Sequence, residues 1–137
     1  MSAPAKRHPR PALDWETRAF WEGCGRHELV LQRCRRCQAV QHRPRALCVS
    51  CLSDEIEHFI ASGRGQVYSF TITRQNQAPP FRDSLPYVLA YVELEEGVRL
   101  LTNIVGCEPG DVTIGMPVVA DYLDLGGDLA LPRFLPA

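Results

Sequence analysis

Two pairs of cysteines with C-x-x-C spacing constrain this chain more than any other feature. Cys34 and Cys37 form the first pair, Cys48 and Cys51 form the second, and ten residues separate the pairs. Zinc prefers soft ligands at the corners of a tetrahedron, and two such turns joined by a hairpin present four thiolates to one point. The sequence therefore predicts one structural zinc site built from all four cysteines.

Three other uses of these cysteines compete with zinc. Disulfides need an oxidising compartment, whereas residues 1–11 are polar, contain three prolines and lack the charged-then-apolar pattern of a secretory signal. A redox dithiol would place a single C-x-x-C at a strand-to-helix turn. Iron suits the same sulfur tetrahedron, so a rubredoxin-like redox protein stays open as an alternative. We expect zinc and a cytoplasmic location.

Charge is divided unevenly between the two halves of the chain. Residues 1–53 carry ten Lys and Arg against four Asp and Glu, whereas residues 54–137 carry five against twelve. An acidic half repels a polyanion that lies across it, so extended nucleic-acid binding is disfavoured, although a nucleic-acid-binding module remains the second alternative. No apolar run approaches the length that a membrane helix needs.

The N-terminal region predicts a tail and one short helix. Residues 1–12 read as a disordered tail, and the helical segment is assigned to 13–27, with the helix itself running from Asp14 to about Gly23. The helical segment carries three large aromatic residues, Trp15, Phe20 and Trp21. A ten-residue helix needs fewer to dock on its own domain. They are candidate anchors for a partner protein, and packing within the chain explains them equally well.

The rest of the chain predicts two β modules. Residues 28–62 hold the cysteine pairs between candidate strands and have the layout of a zinc ribbon. Residues 63–137 contain no further cysteine pair and carry five alternating apolar segments, at 66–75, 86–97, 98–106, 116–125 and 129–136. Five short strands suit an OB-fold barrel, while an SH3-like barrel or a small sandwich stays open by pattern alone. The predicted fold class is mainly β.

The ordered set of motifs resembles a known family. FWEG at 20–23, HRPRALC at 42–48, SGRGQVYSFTIT at 62–73, IGMPV at 114–118 and LPRFLP at 131–136 are similar to the zinc-ribbon plus OB-fold acyl-CoA-associated family, long called domain of unknown function thirty-five. The resemblance covers about residues 13–136. It implies a rubredoxin-like zinc ribbon and a non-catalytic subunit that accompanies thiolase-fold enzymes, such as thiolases, steroid side-chain aldolases and acyltransferases. It also implies a heterotetramer around a thiolase-like dimer and help in holding acyl-CoA.

The residues themselves agree with a helper role. No Ser-His-Asp set is readable, and Cys24 and Cys107 read as apolar residues, although His27 lies three positions after Cys24. The arginines near the cysteine pairs either neutralise the negative charge of a four-thiolate zinc site or offer guanidinium forks for the phosphates of coenzyme A. Arg43 and Arg45 are the candidates for the ligand-binding role. Phe81, in the long 75–86 loop, is a further candidate for the partner interface.

Overall fold

The computed structural model describes residues 8–79 and 81–137 of the chain. Its elements are one helix, α1 (Arg18–Gly25), and eight strands. The strands are β1 (Val30–Cys34), β2 (Val40–Gln41), β3 (Ile56–Ile60), β4 (Arg64–Thr73), β5 (Tyr87–Leu94), β6 (Arg99–Ile104), β7 (Pro117–Gly126) and β8 (Leu129–Pro136). Two single 3-10 turns, Phe81–Ser84 and Pro109–Asp111, lie in the loops between barrel strands.

The ribbon module is a three-stranded antiparallel sheet in the order β2-β1-β3. The hairpin between β1 and β2 carries the first cysteine pair, and the loop from β2 to β3 carries the second. β3 pairs with β1 along its whole length, from Val30 opposite Ile60 to Cys34 opposite Ile56. This pairing brings the chain to Ala61, whose amide N donates to the carbonyl of Leu29 at 2.7 Å. The ribbon therefore ends where the barrel begins.

The second module is a closed barrel in the order β4-β5-β6-β8-β7, with β7 pairing back to β4. β6 and β8 are parallel, and the other neighbours are antiparallel. Five strands joined in this order make the OB-fold, so the predicted barrel is confirmed and the alternatives of an SH3-like barrel or a sandwich are excluded.

Apolar and exposed residues alternate along the barrel strands because every second side chain of a strand points into the barrel. In β5, Val88, Ala90, Val92 and Leu94 are buried, while Leu89 and Tyr91 between them face outward. Phe134 of β8 is fully buried in the centre of this core. Helix α1 joins the same core through Phe20 and Cys24, so both modules share one continuous apolar cluster.

The helix begins later than the sequence predicts. Asp14 accepts hydrogen bonds at its Oδ1 from both the amide N (2.8 Å) and the hydroxyl (3.0 Å) of Thr17, so residues 14–17 form a separate turn. The helix then runs from Arg18 to Gly25. A Cβ at Gly25 would collide with the carbonyl oxygen of Asp128, which shows how closely α1 approaches the β7–β8 hairpin.

The predicted tail is held against the barrel in the part that the structure describes. The guanidinium of Arg10 donates to the carbonyl oxygens of Leu125 and Gly126, both at 3.0 Å. Residues 1–7 of that segment lie outside the described residues. Proline and charge content gave no sign of the Arg10 contact, because its acceptors are backbone groups more than a hundred residues away.

Candidate functional site

The four predicted ligands come together at one point. The sulfur atoms of Cys34, Cys37, Cys48 and Cys51 all lie within 4.8 Å of one another. The Sγ atoms of Cys34 and Cys51 are 3.7 Å apart, and those of Cys37 and Cys48 are 3.5 Å apart. A tetrahedron with zinc–sulfur bonds of about 2.3 Å has sulfur–sulfur edges of roughly 3.8 Å. The donor set therefore has the composition and the approximate size of a four-thiolate zinc site.

Each cysteine pair is a tight turn that aims backbone N–H groups at sulfur. The amides of Ser50 and Cys51 approach Cys48 Sγ at 3.3 and 3.5 Å, and the amide of Cys37 lies 3.5 Å from Cys34 Sγ. These backbone hydrogen bonds lower the pKa of Cys48 to about 6. Thiolate is the metal-binding form of cysteine, so the turns favour the binding form of Cys34 and Cys48. At Cys37 the backbone hydrogen bond from Ala39 is outweighed by the contacts with the other cysteine sulfur atoms and by burial, which raise the pKa of this thiol to about 11.

Two buried glutamines hold the loop between the pairs. Gln41 Nε2 donates to Gln32 Oε1 at 2.8 Å and to the carbonyl of Leu47 at 3.2 Å, while Gln41 Oε1 accepts from the amide of Val49 at 2.9 Å. Gln32 binds both backbone groups of Arg45, at 2.9 and 3.0 Å. This glutamine pair supplies the loop with hydrogen bonds that a further strand would otherwise provide. This pair was not predicted from the sequence. It could have been found only from the β1–β2 register, which places Gln32 opposite Gln41.

The arginines near the metal ligands divide into two groups. Arg33 and Arg35 lie 3.8 and 3.1 Å from the carboxylate of Glu57 on β3 and are engaged within the ribbon. Arg43 and Arg45 have no ion-pair partner in the described part of the chain and are exposed. The two predicted ligand-binding arginines are therefore available to an anion, and so is Arg36, which is also exposed and has no ion pair among the described residues.

A groove of about 590 Å³ lies where helix, ribbon loop and barrel meet. We call it the interdomain groove. Its floor is the outer face of β5 and β6, and its walls come from α1, the 42–44 loop and β8. The side chains that shape it include Trp21, His42, Arg43, Tyr91, Leu101 and Leu131. Arg43 lines this groove, whereas Arg45 lies outside its lining. The volume falls within the range of ordinary ligand sites, roughly 300–1,000 Å³.

His42 is a partly buried polar residue in the lining of this groove. Its ring packs against Phe20 with the centroids 5.0 Å apart, and its Nδ1 is buried without a hydrogen-bond partner among the described residues. Burial, and then the adjacent charge of Arg43, lower the pKa of His42 to about 4. The imidazole is therefore neutral at pH 7.

The predicted interface aromatics occupy different environments. Phe20 is 6% exposed and lies in the core, so it supports α1 from within and is not an accessible anchor. Trp21 is half-buried in the groove wall. Phe81 is half-buried, with its ring 6.3 Å from that of Tyr87. Trp15 is 75% exposed and free of such packing, because it belongs to the turn that precedes the helix.

An apolar surface surrounds the second cysteine pair. The amide of Ala46 donates to Glu16 Oε2 at 2.9 Å, which fixes the Trp15 turn beside the loop that enters this pair. Leu47, Val49 and Leu52 are also exposed, the last two by 65% and 73%. We call Trp15, Leu47, Val49 and Leu52 the ribbon patch. A surface that exposes this many neighbouring large apolar side chains is typical of a protein interface.

The remaining two cysteines, Cys24 and Cys107, lie apart from the metal ligands. Cys24 is fully buried in the core, and burial raises the pKa of its thiol to about 12. His27 instead approaches Asp124 Oδ1 at 2.8 Å and stacks on Tyr122. Cys107 packs half-buried against the barrel core. Both cysteines therefore contribute to apolar packing.

Comparison with known proteins gives the class to which this fold and metal centre belong. Residues 21–57 match the family model of the ChsH2 rubredoxin-like zinc ribbon domain, and residues 60–122 match that of the ChsH2 C-terminal OB-fold domain. A DUF35 domain-containing scaffold protein of Methanocaldococcus jannaschii is 41% identical over 71% of this chain and 69% of its own length. The chain belongs to the DUF35 family of zinc-ribbon and OB-fold proteins.

Other relatives carry the names of subunits of CoA-dependent enzymes. A probable enoyl-CoA hydratase alpha subunit of Thermomonospora curvata is 42% identical over 98% of this chain and 41% of its own length. A 3-oxo-4,17-pregnadiene-20-carboxyl-CoA hydratase alpha subunit of Mycobacterium tuberculosis is 40% identical over 84% of this chain and 36% of its own length. The chain thus spans about two fifths of these relatives. The benzoylsuccinyl-CoA thiolase subunit BbsA of Geobacter metallireducens is 35% identical over 54% of this chain and 48% of its own length.

One solved structure matches nearly the whole chain. A chain of the Ltp2-ChsH2(DUF35) aldolase superposes with a TM-score of 0.84 at 42% identity and covers 93% of this chain and 98% of its own length. The predicted resemblance to the family is thereby confirmed. No helix in the described residues is long and apolar enough to span a membrane.

Proposed function

We propose that this chain is a non-catalytic, zinc-binding subunit that docks on a thiolase-fold enzyme and helps it bind an acyl-CoA substrate. The enzyme is a thiolase, a steroid side-chain aldolase or an acyltransferase. The observation that carries the proposal is the match of the ribbon and barrel together, over almost their full length, to a chain of an aldolase. The thiolase-subunit name of a further relative supports the same class of partner. A reducing compartment, the cytoplasm, suits a site of four thiolates.

The ribbon patch is the proposed docking surface. Trp15, Val49 and Leu52 expose apolar area on a module that zinc makes rigid, and tryptophan is enriched at the centres of interfaces. Trp21 and Phe81 are half-buried within the chain and contribute at most at the rim. The metal then has an indirect role, because it holds the loop that presents the patch.

We assign acyl-CoA binding to Arg43, Arg45 and the interdomain groove. Arg43 and Arg45 lack ion-pair partners in the described residues, and guanidinium groups bind phosphates through paired N–H donors. Arg43 also borders the groove, whose walls are mostly apolar. In this arrangement the phosphates of acyl-CoA contact the two arginines, and its less polar arm lies in the groove.

The hydratase names of the longer relatives do not extend to this chain. The chain aligns with about two fifths of the Thermomonospora protein, so we attribute no hydration step to the residues described above. Nucleic-acid binding has weaker support, since the barrel half has an excess of seven acidic residues.

Charged substitutions in the ribbon patch test the proposal. The tagged chain, with Val49→Asp or Leu52→Asp, is purified from the cells that produce it naturally, and the co-purifying proteins are identified by mass spectrometry. We expect a thiolase-fold enzyme in near-equal amount with the unaltered chain and its loss with either variant. Ile114→Asp is the matched control, because Ile114 is a comparably exposed apolar residue outside the patch. Equal recovery of the enzyme with the patch variants contradicts docking through this surface.

A further inference from the structure

The tautomer of His42 follows from its surroundings in the interdomain groove. A neutral imidazole carries one N–H, on either Nδ1 or Nε2. Nδ1 is buried with no acceptor among residues 8–79 and 81–137, so a proton there would be a buried donor without a partner. Buried N–H groups without acceptors are rarer than unpaired acceptors in proteins. The proton therefore resides on Nε2, as an assignment from the hydrogen-bond environment.

Nε2 is the nitrogen that remains accessible from the groove. His42 lines the groove, and its Nε2 has neither a hydrogen-bond partner nor full burial in the described structure. The ring is held in place by Phe20, whose centroid lies 5.0 Å away, and Phe20 is itself a core residue. The groove thus contains a fixed, uncharged hydrogen-bond donor.

The neighbouring charges define what such a donor binds. Arg99 is already engaged, with Nε 3.3 Å from Glu93 Oε2 and its guanidinium 3.7 Å above the ring of Tyr68. Arg43 has no ion pair within the described part of the chain, its charge acts only at longer range on Asp14, and it lies next to His42 in the sequence. A ligand that satisfies both groups has a neutral acceptor oxygen followed by an anionic group. Apolar walls of Trp21, Leu101 and Leu131 require a partly apolar body.

The pantetheine arm of coenzyme A has this order of groups. It carries two amide carbonyls, a hydroxyl and a dimethyl-substituted carbon, and it ends at a pyrophosphate. We propose that this arm lies in the interdomain groove, where His42 Nε2–H donates to one of its oxygens and Arg43 contacts the pyrophosphate. The inference rests on the proposed function and adds to it a residue and a portion of the ligand.

The test compares two ligands that differ by the arm and by the phosphate that carries it. Coenzyme A contains both, whereas adenosine 3′,5′-bisphosphate is the nucleotide part with a single 5′-phosphate. Dissociation constants are measured by calorimetry on the zinc-loaded full chain and on three variants. His42→Phe keeps a ring against Phe20 and removes the donor, His42→Gln restores a side-chain N–H, and Arg43→Ala removes the cation.

We expect His42→Phe to weaken coenzyme A binding roughly five- to tenfold, the value of one hydrogen bond, and to leave the bisphosphate constant unchanged. His42→Gln recovers part of the loss. Arg43→Ala weakens coenzyme A as well. If His42→Phe binds coenzyme A as tightly as the unaltered chain does, this inference is wrong and the proposed acyl-CoA role stands. The inference is also wrong if His42→Phe weakens the binding of both ligands by the same factor. If the unaltered chain fails to bind coenzyme A, the proposed acyl-CoA role fails together with it.

A measurement on the unaltered chain keeps the inference testable even where a variant folds poorly. Nitrogen-15 NMR of the imidazole distinguishes the two neutral tautomers directly. The Nε2–H form is expected, and the Nδ1–H form would overturn the assignment of His42 as a donor to the groove.

Discussion

Gln41 donates a hydrogen bond from Nε2 to Oε1 of Gln32 across the β1–β2 pair, at 2.8 Å and out of contact with solvent. Through this contact the sheet of the ribbon is connected to the loop that carries Arg45 and leads to Cys48. Neither glutamine touches the metal ligands' sulfur atoms. The pair nevertheless fixes the second cysteine turn relative to the first.

Gln41→Ala is expected to lower the free energy of unfolding by about 2–3 kcal/mol, because it leaves the amide of Val49 and the carbonyl of Leu47 without their partners. It also speeds the loss of zinc to a competing chelator, since the second turn is no longer fixed. Urea unfolding and chelator competition measure the two effects. Gln66→Ala, at an exposed position of β4, is the control and changes neither. An unchanged rate of zinc loss in Gln41→Ala would show that the glutamines do not position the metal turn.

Cys48→Ser is expected to abolish stoichiometric zinc and to unfold the ribbon. Structural zinc contributes roughly 10–16 kcal/mol of apparent binding free energy in small zinc peptides, which is more than this module gains from its own core. Metal analysis and circular dichroism follow the loss. Cys107→Ser, which alters a half-buried cysteine of the barrel, retains one zinc per chain. Full zinc content in Cys48→Ser would exclude the four-cysteine site.

Phe134→Ala is expected to destabilise the barrel by about 3–5 kcal/mol, the usual cost of removing a buried phenylalanine. Phe134 is fully buried where β8 joins β6 and β7. Thermal unfolding measures the effect, and Tyr68→Ala on the outer face serves as the mild comparison. A change below about 1 kcal/mol in Phe134→Ala would contradict a core centred on this residue.

The ion pair between Asp121 and Arg133 predicts a pH dependence of stability. The hydrogen bond from Arg133 Nε, at 2.7 Å, lowers the pKa of Asp121 below its usual 3.8. A lowered folded-state pKa gives stability that is present above the unfolded pKa and is lost as pH falls through the folded pKa. The advantage over Asp121→Asn should therefore be constant from pH 7 to about pH 5 and decrease at lower pH. Both side chains are partly exposed, so the difference is small. An advantage that grew on acidification would contradict the pair.

Much of the architecture could be predicted because it follows from local patterns. The spacing of Cys34, Cys37, Cys48 and Cys51 fixes the metal turns, and the alternation in residues such as Val88 to Leu94 fixes the faces of the barrel strands. These patterns depend on neighbours in sequence. The zinc ribbon and the number of barrel strands could therefore be predicted without knowing how the two modules pack.

The remaining features depend on contacts between distant segments. Phe20 and Trp21 are equivalent aromatic residues in the sequence, yet only the packing of α1 on β8 decides that the first is core and the second lines a groove. The later helix start depends on one side-chain contact, between Asp14 and Thr17. The interdomain groove arises where helix α1, the 42–44 loop of the ribbon and the barrel meet. No single segment carries a pattern that indicates it.

Native mass spectrometry of the tagged chain, after gentle purification from its natural source, tests the proposed role as an enzyme subunit most directly. We predict an assembly of two copies of this chain with two copies of a thiolase-fold enzyme, and one zinc ion for each copy of this chain. A free monomer, an iron-loaded monomer or a complex with nucleic acid would contradict the proposed role as a subunit of an acyl-CoA enzyme.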